Sequence, residues 1–253
     1  MGTDAPTFPE DGEGPARTVH VARFAIDAWT VDNARFAAFV AATGYVTDAE
    51  RAGASFVFHG LLPAGTTGWP VPGLPWWRWV EGACWHRPEG PASDLRGRAR
   101  HPAVHLSWRD GRAVAAWLGG RLPSEAEWEV AARGGLEGAR FPWGDELEPG
   151  GEHRCNVWQG RFPDADLGLD GYRGTAPVDA FAPNGFGLFC VTGNVWEWCA
   201  DRFAGRGPDA RVQKGGSYLC HASYCDRYRP AARSAAAAAD AFGHAGVRVA
   251  YDV

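Results

Sequence analysis

Helical periodicity in this chain is confined to three short stretches. The sequence between them is dense in glycine (34), proline (18) and tryptophan (13), which predicts short strands and long ordered loops. Such loops are uncommon in a compact domain unless something fixes them, and bound ions or packed indoles are the usual fixatives. The first helix is expected to start from a Thr30 cap and run to about Thr43, with Phe36, Phe39 and Val40 as its apolar stripe and Gly44 as its stop. Ser107 is expected to cap a second, with Val114, Trp117 and Leu118 inward and Gly119-Gly120 ending it. Ser124-Glu125-Ala126-Glu127 reads as a capping box for a third, carrying Trp128, Ala131 and Ala132 inward before Gly134-Gly135. Phe56-Val57-Phe58 and Ala103-Val104-His105-Leu106 have the length and character of short strands. No linker or repeat divides residues 1–253, which are expected to form a single domain. The only low-complexity piece, Ala235 to Ala239, is too short to hold a helix alone in water.

A chain of 253 residues with 45% hydrophobic and 22% charged residues can build a sizeable core. Its net charge of −5 and pI near 5.9 argue against a nucleic-acid or anionic-membrane surface, because no basic stripe is present. Lys214 is the only lysine, and the other basic residues are arginines. No apolar run approaches the roughly 18 residues of a membrane span. Met1-Gly2-Thr3-Asp4-Ala5-Pro6 has neither a basic nor an apolar leader region, and Pro6 stands where a myristoylation signal needs Ser or Thr. A cytoplasmic location is expected, with the six cysteines mostly reduced.

Cys220 and Cys225 lie in Lys214-Gly215-Gly216-Ser217-Tyr218-Leu219-Cys220-His221-Ala222-Ser223-Tyr224-Cys225-Asp226-Arg227. They supply two soft sulfur donors, which suit Cu(I) best. Their odd spacing would point them to opposite faces of a straight strand, so a turn must separate them if they cooperate. A disulfide could close the same loop if the Cα atoms come within about 7 Å. Two unrelated buried thiols are the third reading. Zinc is disfavoured, since a structural site wants four ligands and a catalytic one three, with only His221 close by. His101 and His105 fit core or hydrogen-bonded histidines better than metal ligands. Asn156, Asp164, Asp166 and Asp170, and separately Gly193-Asn194-Val195-Trp196-Glu197, offer oxygen donors in glycine-containing loops, as a calcium site does. Pro75-Trp76-Trp77-Arg78-Trp79 reads as buried indoles or as a binding platform. No nucleophile elbow, phosphate-binding loop, dinucleotide fingerprint or zincin motif occurs.

Several segments together resemble the formylglycine-generating enzymes, or sulfatase-modifying factors. They are Gly120-Arg121-Leu122-Pro123-Ser124-Glu125-Ala126-Glu127-Trp128-Glu129, Phe141-Pro142-Trp143-Gly144, Cys155-Asn156-Val157-Trp158-Gln159-Gly160, Gly193-Asn194-Val195-Trp196-Glu197-Trp198 and Gly215-Gly216-Ser217-Tyr218. Most of these also mark noncatalytic paralogues and iron-dependent sulfoxide synthases, and the Cys220/Cys225 pair is the specific part. The resemblance implies an α+β domain with little regular secondary structure, related to C-type lectin folds and stabilised by Ca2+. It implies a copper-dependent oxidase in which Cys220 and Cys225 hold Cu(I). A substrate cysteine in a C-x-P-x-R motif joins them, O2 is the co-substrate, and the cysteine becomes formylglycine. Trp196, Ser217 and Tyr224 match residues around the oxygen and substrate pocket. Asn156, Val157, Asp170 and Tyr172 match one calcium site. Gly193, Val195 and Glu197 match a second, where Cys190 replaces an asparagine and so puts sulfur where calcium prefers oxygen.

The chain also departs from the family pattern. The family's N-terminal hairpin is expected to be shortened here, with Met1-Gly2 falling near its end. Arg202-Phe203 stand where paired tryptophans are usual, and Gly246-Val247-Arg248 where Gly-Phe-Arg is usual. Ser234 to Asp240 is almost all alanine where a polar stretch is usual, close to the family's active-site wall. The expected partner is an unfolded sulfatase or another cysteine-containing polypeptide. The rival expectations are a copper oxidase acting on a different thiol or peptide, and a noncatalytic binding module. Loss of the extra helical domain and the His-rich motif disfavours the iron-dependent branch.

Overall fold

The computed structural model describes residues 1–253, and its four short α-helices form where the sequence supplies caps. Helix α1 (Asn33–Thr43) starts from Asp32, whose carboxylate accepts from the Arg35 amide, and ends at Gly44 in the left-handed region. The expected cap, Thr30, is instead buried with its hydroxyl unpartnered. An ionised oxygen nearer the apolar stripe is the better acceptor for the first-turn amides. Helix α2 (Asp48–Ala52) was too short to show a period, yet Thr47 and Glu50 form a complete capping box. Helix α3 (Trp108–Trp117) has the Ser107 cap and buries Val114, but Trp117 is 42% exposed. Its inner face is turned toward Gly111 and Ala115, because Gly111 sits so close to Val247 that a Cβ would lie 2.5 Å from it. Helix α4 (Glu125–Arg133) has the Ser124–Glu127 capping box, the Gly134 stop and buried Trp128, Ala131 and Ala132, as expected.

The strands are short: β1 (Phe24–Ile26), β2 (Ala54–Phe58), β3 (Trp69–Val71), β4 (Leu74–Glu81), β5 (Gly160–Arg161), β6 (Ala165–Asp166), β7 (Trp196–Arg202), β8 (Ala210–Lys214), β9 (Ser234–Ala237), β10 (Ala245–Gly246) and β11 (Ala250–Asp252). They form sheets ordered β1-β11, β2-β4-β3, β5-β6 and β10-β7-β8-β9, with only β10–β7 parallel. The segment Ala103–Leu106 is not a strand, because His105 takes a left-handed φ of 57°. Its ring makes the expected buried contacts, with Nδ1 2.7 Å from Ser55 Oγ and Nε2 2.8 Å from the Pro88 carbonyl. Burial pushes this imidazole down to about 4, so it stays neutral. The alanine run becomes the outer strand β9.

The α+β fold has its largest core between α1, α3 and the C-terminal segment, where Phe36, Leu106, Val114, Leu122, Trp198 and Val247 meet. A second core packs α4 on β7 and β8. A third surrounds Cys220 and Cys225. Buried ion pairs brace these layers. Lys214 meets Glu129 at 3.2 Å, and Arg248 meets Glu197 at 2.7 Å. No helix is long and apolar enough to cross a membrane.

Candidate active site at a buried cysteine pair

Strand β8 delivers the chain into Gly215 and Gly216, both at positive φ. At Gly216 a Cβ would lie 2.7–3.0 Å from Tyr228, so only glycine lets the two segments touch. A turn then forms in which the Cys220 amide donates to the Ser217 carbonyl, and the Trp158 amide donates to the Cys220 carbonyl. The reversal that the odd spacing requires lies at His221, whose carbonyl accepts from both the Tyr224 and Cys225 amides. It returns Cys225 Sγ to 3.0 Å from Cys220 Sγ. Both residues are buried, and all six cysteines are free thiols.

At this separation the two sulfurs are within hydrogen-bonding contact. Burial pushes the Cys220 thiol well up, while the hydrogen bond from Cys220 pulls Cys225 down, helped by the neighbouring Arg227 guanidinium. Arg227 is held by Asp11 at 2.6 Å, and the buried Arg229 by the buried Glu13 at 2.9 Å. The N-terminal segment therefore braces the cysteine loop.

The three other expected pocket residues gather here. The Ser217 amide lies 3.4 Å from Cys220 Sγ, and its hydroxyl 4.0 Å. Tyr224 donates to the Leu219 carbonyl at 2.6 Å and stacks on Phe162, with Trp76 edge-on. Burial raises its phenol, so it stays protonated. Trp196 is buried in the apolar cluster that holds both cysteines. Arg227, Asp11, Arg206 and Ser234 to Ala237 line an adjoining cavity of about 510 Å³. Arg227 thus lines the cavity and also meets Cys225. The sequence reading missed Asp11, Glu13, Arg227 and Phe162. Only Arg227, two residues from Cys225, carried a local signal.

Asn156, Val157, Asp170 and Tyr172 converge beside the β5–β6 hairpin. The Gln159 amide donates both to the Val157 carbonyl and to Asp170 at 2.9 Å, and the Tyr172 amide donates to Asp170 at 3.0 Å. Asn156 Nδ2 donates to the Gly174 carbonyl and to Asn194, which leaves its oxygen for another partner. No cationic side chain pairs with Asp170, and burial raises its carboxyl. A neutral oxygen-rich set around an uncompensated carboxylate fits a hard cation.

The second set does not fit one. Glu197 accepts from Arg248 through both oxygens and from Trp128 Nε1 at 2.6 Å, so a guanidinium already neutralises it. Cys190 faces the Pro177 carbonyl, and its desolvated thiol is pushed up to about 11. Glu197, expected as a calcium ligand, is thus one half of an internal ion pair with Arg248, while Gly193 and Val195 lie outside that pair.

The fold and site define a loop-rich α+β domain built around two buried, adjacent thiols. Residues 1–253 match the profile of the Sulfatase-modifying factor enzyme 1-like domain, and the chain belongs to the formylglycine-generating enzyme family. It is 57% identical to the formylglycine-generating enzyme of Thermomonospora curvata, over 99% of this chain and 89% of that one. It is 47% identical to the inactive C-alpha-formylglycine-generating enzyme 2 of Bos taurus, over 87% of this chain and 73% of that one. The structure of PvdO from Pseudomonas aeruginosa superposes with a TM-score of 0.69 at 26% identity, over all of this chain and 89% of that one.

Proposed function

We propose that this protein is a copper-dependent oxidase that uses O2 to convert a cysteine in a C-x-P-x-R-type polypeptide to Cα-formylglycine, as in sulfatase activation. The observation that carries the reading is the pair of buried sulfurs 3.0 Å apart, with no carboxylate or imidazole between them. Such a donor set fits a soft monovalent ion and suits no hard one. Bound there, Cu(I) supplies a centre that accepts a third thiolate and couples its oxidation to dioxygen.

The chain's own residues prepare that chemistry. The Cys220 hydrogen bond and Arg227 bias Cys225 toward the thiolate, while burial favours the protonated form of Cys220. The Ser217 amide and the Trp158–Cys220 hydrogen bond fix the Cys220 side of the loop. Trp196, Phe141 and Tyr228 keep water from the sulfurs, and Tyr224 stays protonated as a fixed donor that holds the loop on Leu219. The cavity beside Arg227 has room for an extended peptide segment.

The test is incubation of the purified protein with Cu(I), oxygen, a reductant and a C-x-P-x-R peptide. The expected result is the mass change from thiol to aldehyde, and an unchanged peptide at full copper loading would reject the activity. Alanine side chains on β9 offer a bound peptide no hydrogen bonds. Each recovered polar contact is worth about 0.5–1.5 kcal/mol, or about 2- to 10-fold. Ala237→Asn, on the exposed side of β9, is therefore expected to lower KM about 2-fold or more at unchanged kcat. An unchanged KM would show that this cavity wall does not meet the peptide.

Calcium at the Asn156/Asp170 set is part of the same proposal. At free calcium 100 times Kd it would stabilise the fold by about 2.7 kcal/mol. In a chain of this size that is about 5–10 °C in Tm. A chelator should remove that increment, and Asp170→Ala should lower Tm similarly and abolish the response to calcium. A melting curve indifferent to both would rule the site out.

A further inference from the structure

We propose a second metal site, formed by Glu50, Cys84 and His86, that takes a borderline divalent ion such as Zn2+. A thiol, an imidazole and a carboxylate meet there with their donor atoms all within 4.8 Å of one another. Cys84 Sγ lies 3.4 Å from His86 Nδ1, which lies 3.8 Å from Glu50 Oε1. Tetrahedral zinc with bonds of about 2.0–2.3 Å sets its donors about 3.4–3.7 Å apart, so the set closes on an ion by a turn of the His86 ring, whose two nitrogens lie 3.4 and 3.7 Å from Cys84 Sγ, and a short approach of the carboxylate.

Each donor is held by the chain around it. Cys84 and Arg87 exchange backbone hydrogen bonds at 3.2 and 3.0 Å, closing a tight turn after β4 that carries both Cys84 and His86. Glu50 belongs to the capping box of α2. Its Oε2 accepts from the Thr47 amide at 2.8 Å and hydroxyl at 2.7 Å, which directs Oε1 toward His86. Ligands oriented by such outer contacts bind more tightly than mobile ones. The sulfur is buried, while the His86 and Glu50 side chains are partly exposed, so a fourth position opens to water. Three protein ligands and one water is an ordinary zinc arrangement.

The charges also match. A thiolate, a carboxylate and a neutral imidazole neutralise a divalent ion, with the Cys84 proton released to solvent. Sulfur in the set disfavours calcium and magnesium. Occupied, the site would tie α2 to the end of β4, so its role is to clamp the β2–β4–β3 sheet.

The experiment uses the full chain carrying Cys220→Ala and Cys225→Ala, which removes the competing sulfur pair, with Co2+ as an optical probe and Zn2+ as competitor. The expected result is one equivalent of tetrahedral cobalt with a thiolate charge-transfer band, displaced by zinc. Adding Cys84→Ser or His86→Asn should remove the band and weaken zinc at least about 100-fold. Glu50→Gln, which keeps the helix cap, should weaken it about 10- to 100-fold. Zinc should raise Tm of the parent and not of the Cys84→Ser variant. Absence of the band in a folded parent, or zinc affinity unchanged by Cys84→Ser, overturns the assignment.

Discussion

Cys225→Ser is expected to lower conversion of a C-x-P-x-R peptide by at least about 1,000-fold while leaving Tm within a few degrees of wild type. The substitution keeps the side-chain volume in an apolar cluster but exchanges a soft sulfur for a hydroxyl that stays protonated. Cys225 is also the member of the pair that the Cys220 hydrogen bond and Arg227 bias toward thiolate. A soft ion left with one sulfur loses about half its donor set, and about 4 kcal/mol of lost binding or barrier lowering corresponds to that factor. Cys220→Ser should behave alike in turnover. Arg227→Met should give a smaller loss, because it removes only the secondary influence on Cys225 and its contact with Asp11. The measurements are Cu(I) affinity against a competing chelator and turnover at equal copper loading. Turnover within tenfold of wild type in Cys225→Ser would remove the pair from the mechanism.

The parts of this site that were legible in the sequence are those set by local chemistry. Cap residues announced α3 and α4, and a five-residue cysteine spacing announced a turn, which His221 supplies through its carbonyl. What was illegible depends on partners far apart in the chain. Arg227 and Arg229 find Asp11 and Glu13 at a separation of 216 residues, and no spacing rule connects them. Helix α2 was overlooked because five residues show no period, although Thr47 and Glu50 were a readable box. His105 defeats strand pattern reading through a left-handed backbone, which its two buried ring hydrogen bonds hold in place. The family likeness pointed to Glu197 as a cation ligand, and only the fold shows that Arg248 is its partner.

That pairing carries the largest expected effect on stability. Arg248 is fully buried and donates to both oxygens of Glu197 and to the carbonyls of Asp27, Ala28 and Phe189. Arg248→Met would leave a buried carboxylate with only the Trp128 indole as donor, besides taking the guanidinium from the Asp27 and Phe189 carbonyls, while the Ala28 carbonyl keeps the Phe189 amide. Breaking a buried pair from one side costs about 3–5 kcal/mol, which in a chain of this size is about 6–20 °C in Tm. Removing both charges together is less damaging, because the stranded carboxylate is the main penalty. Glu197→Gln with Arg248→Met should therefore recover part of the loss, with the glutamine oxygen still accepting from Trp128. Added calcium separates an ion pair from a metal site: a cation ligand freed of its guanidinium would bind the ion and regain stability, whereas Arg248→Met with Cys190 nearby should show no calcium-dependent rise in Tm at this cluster when Asp170 is also replaced by Ala. A Tm within a few degrees of wild type for Arg248→Met, or its rescue by calcium in the Asp170→Ala background, would show that Glu197 does hold a cation after all.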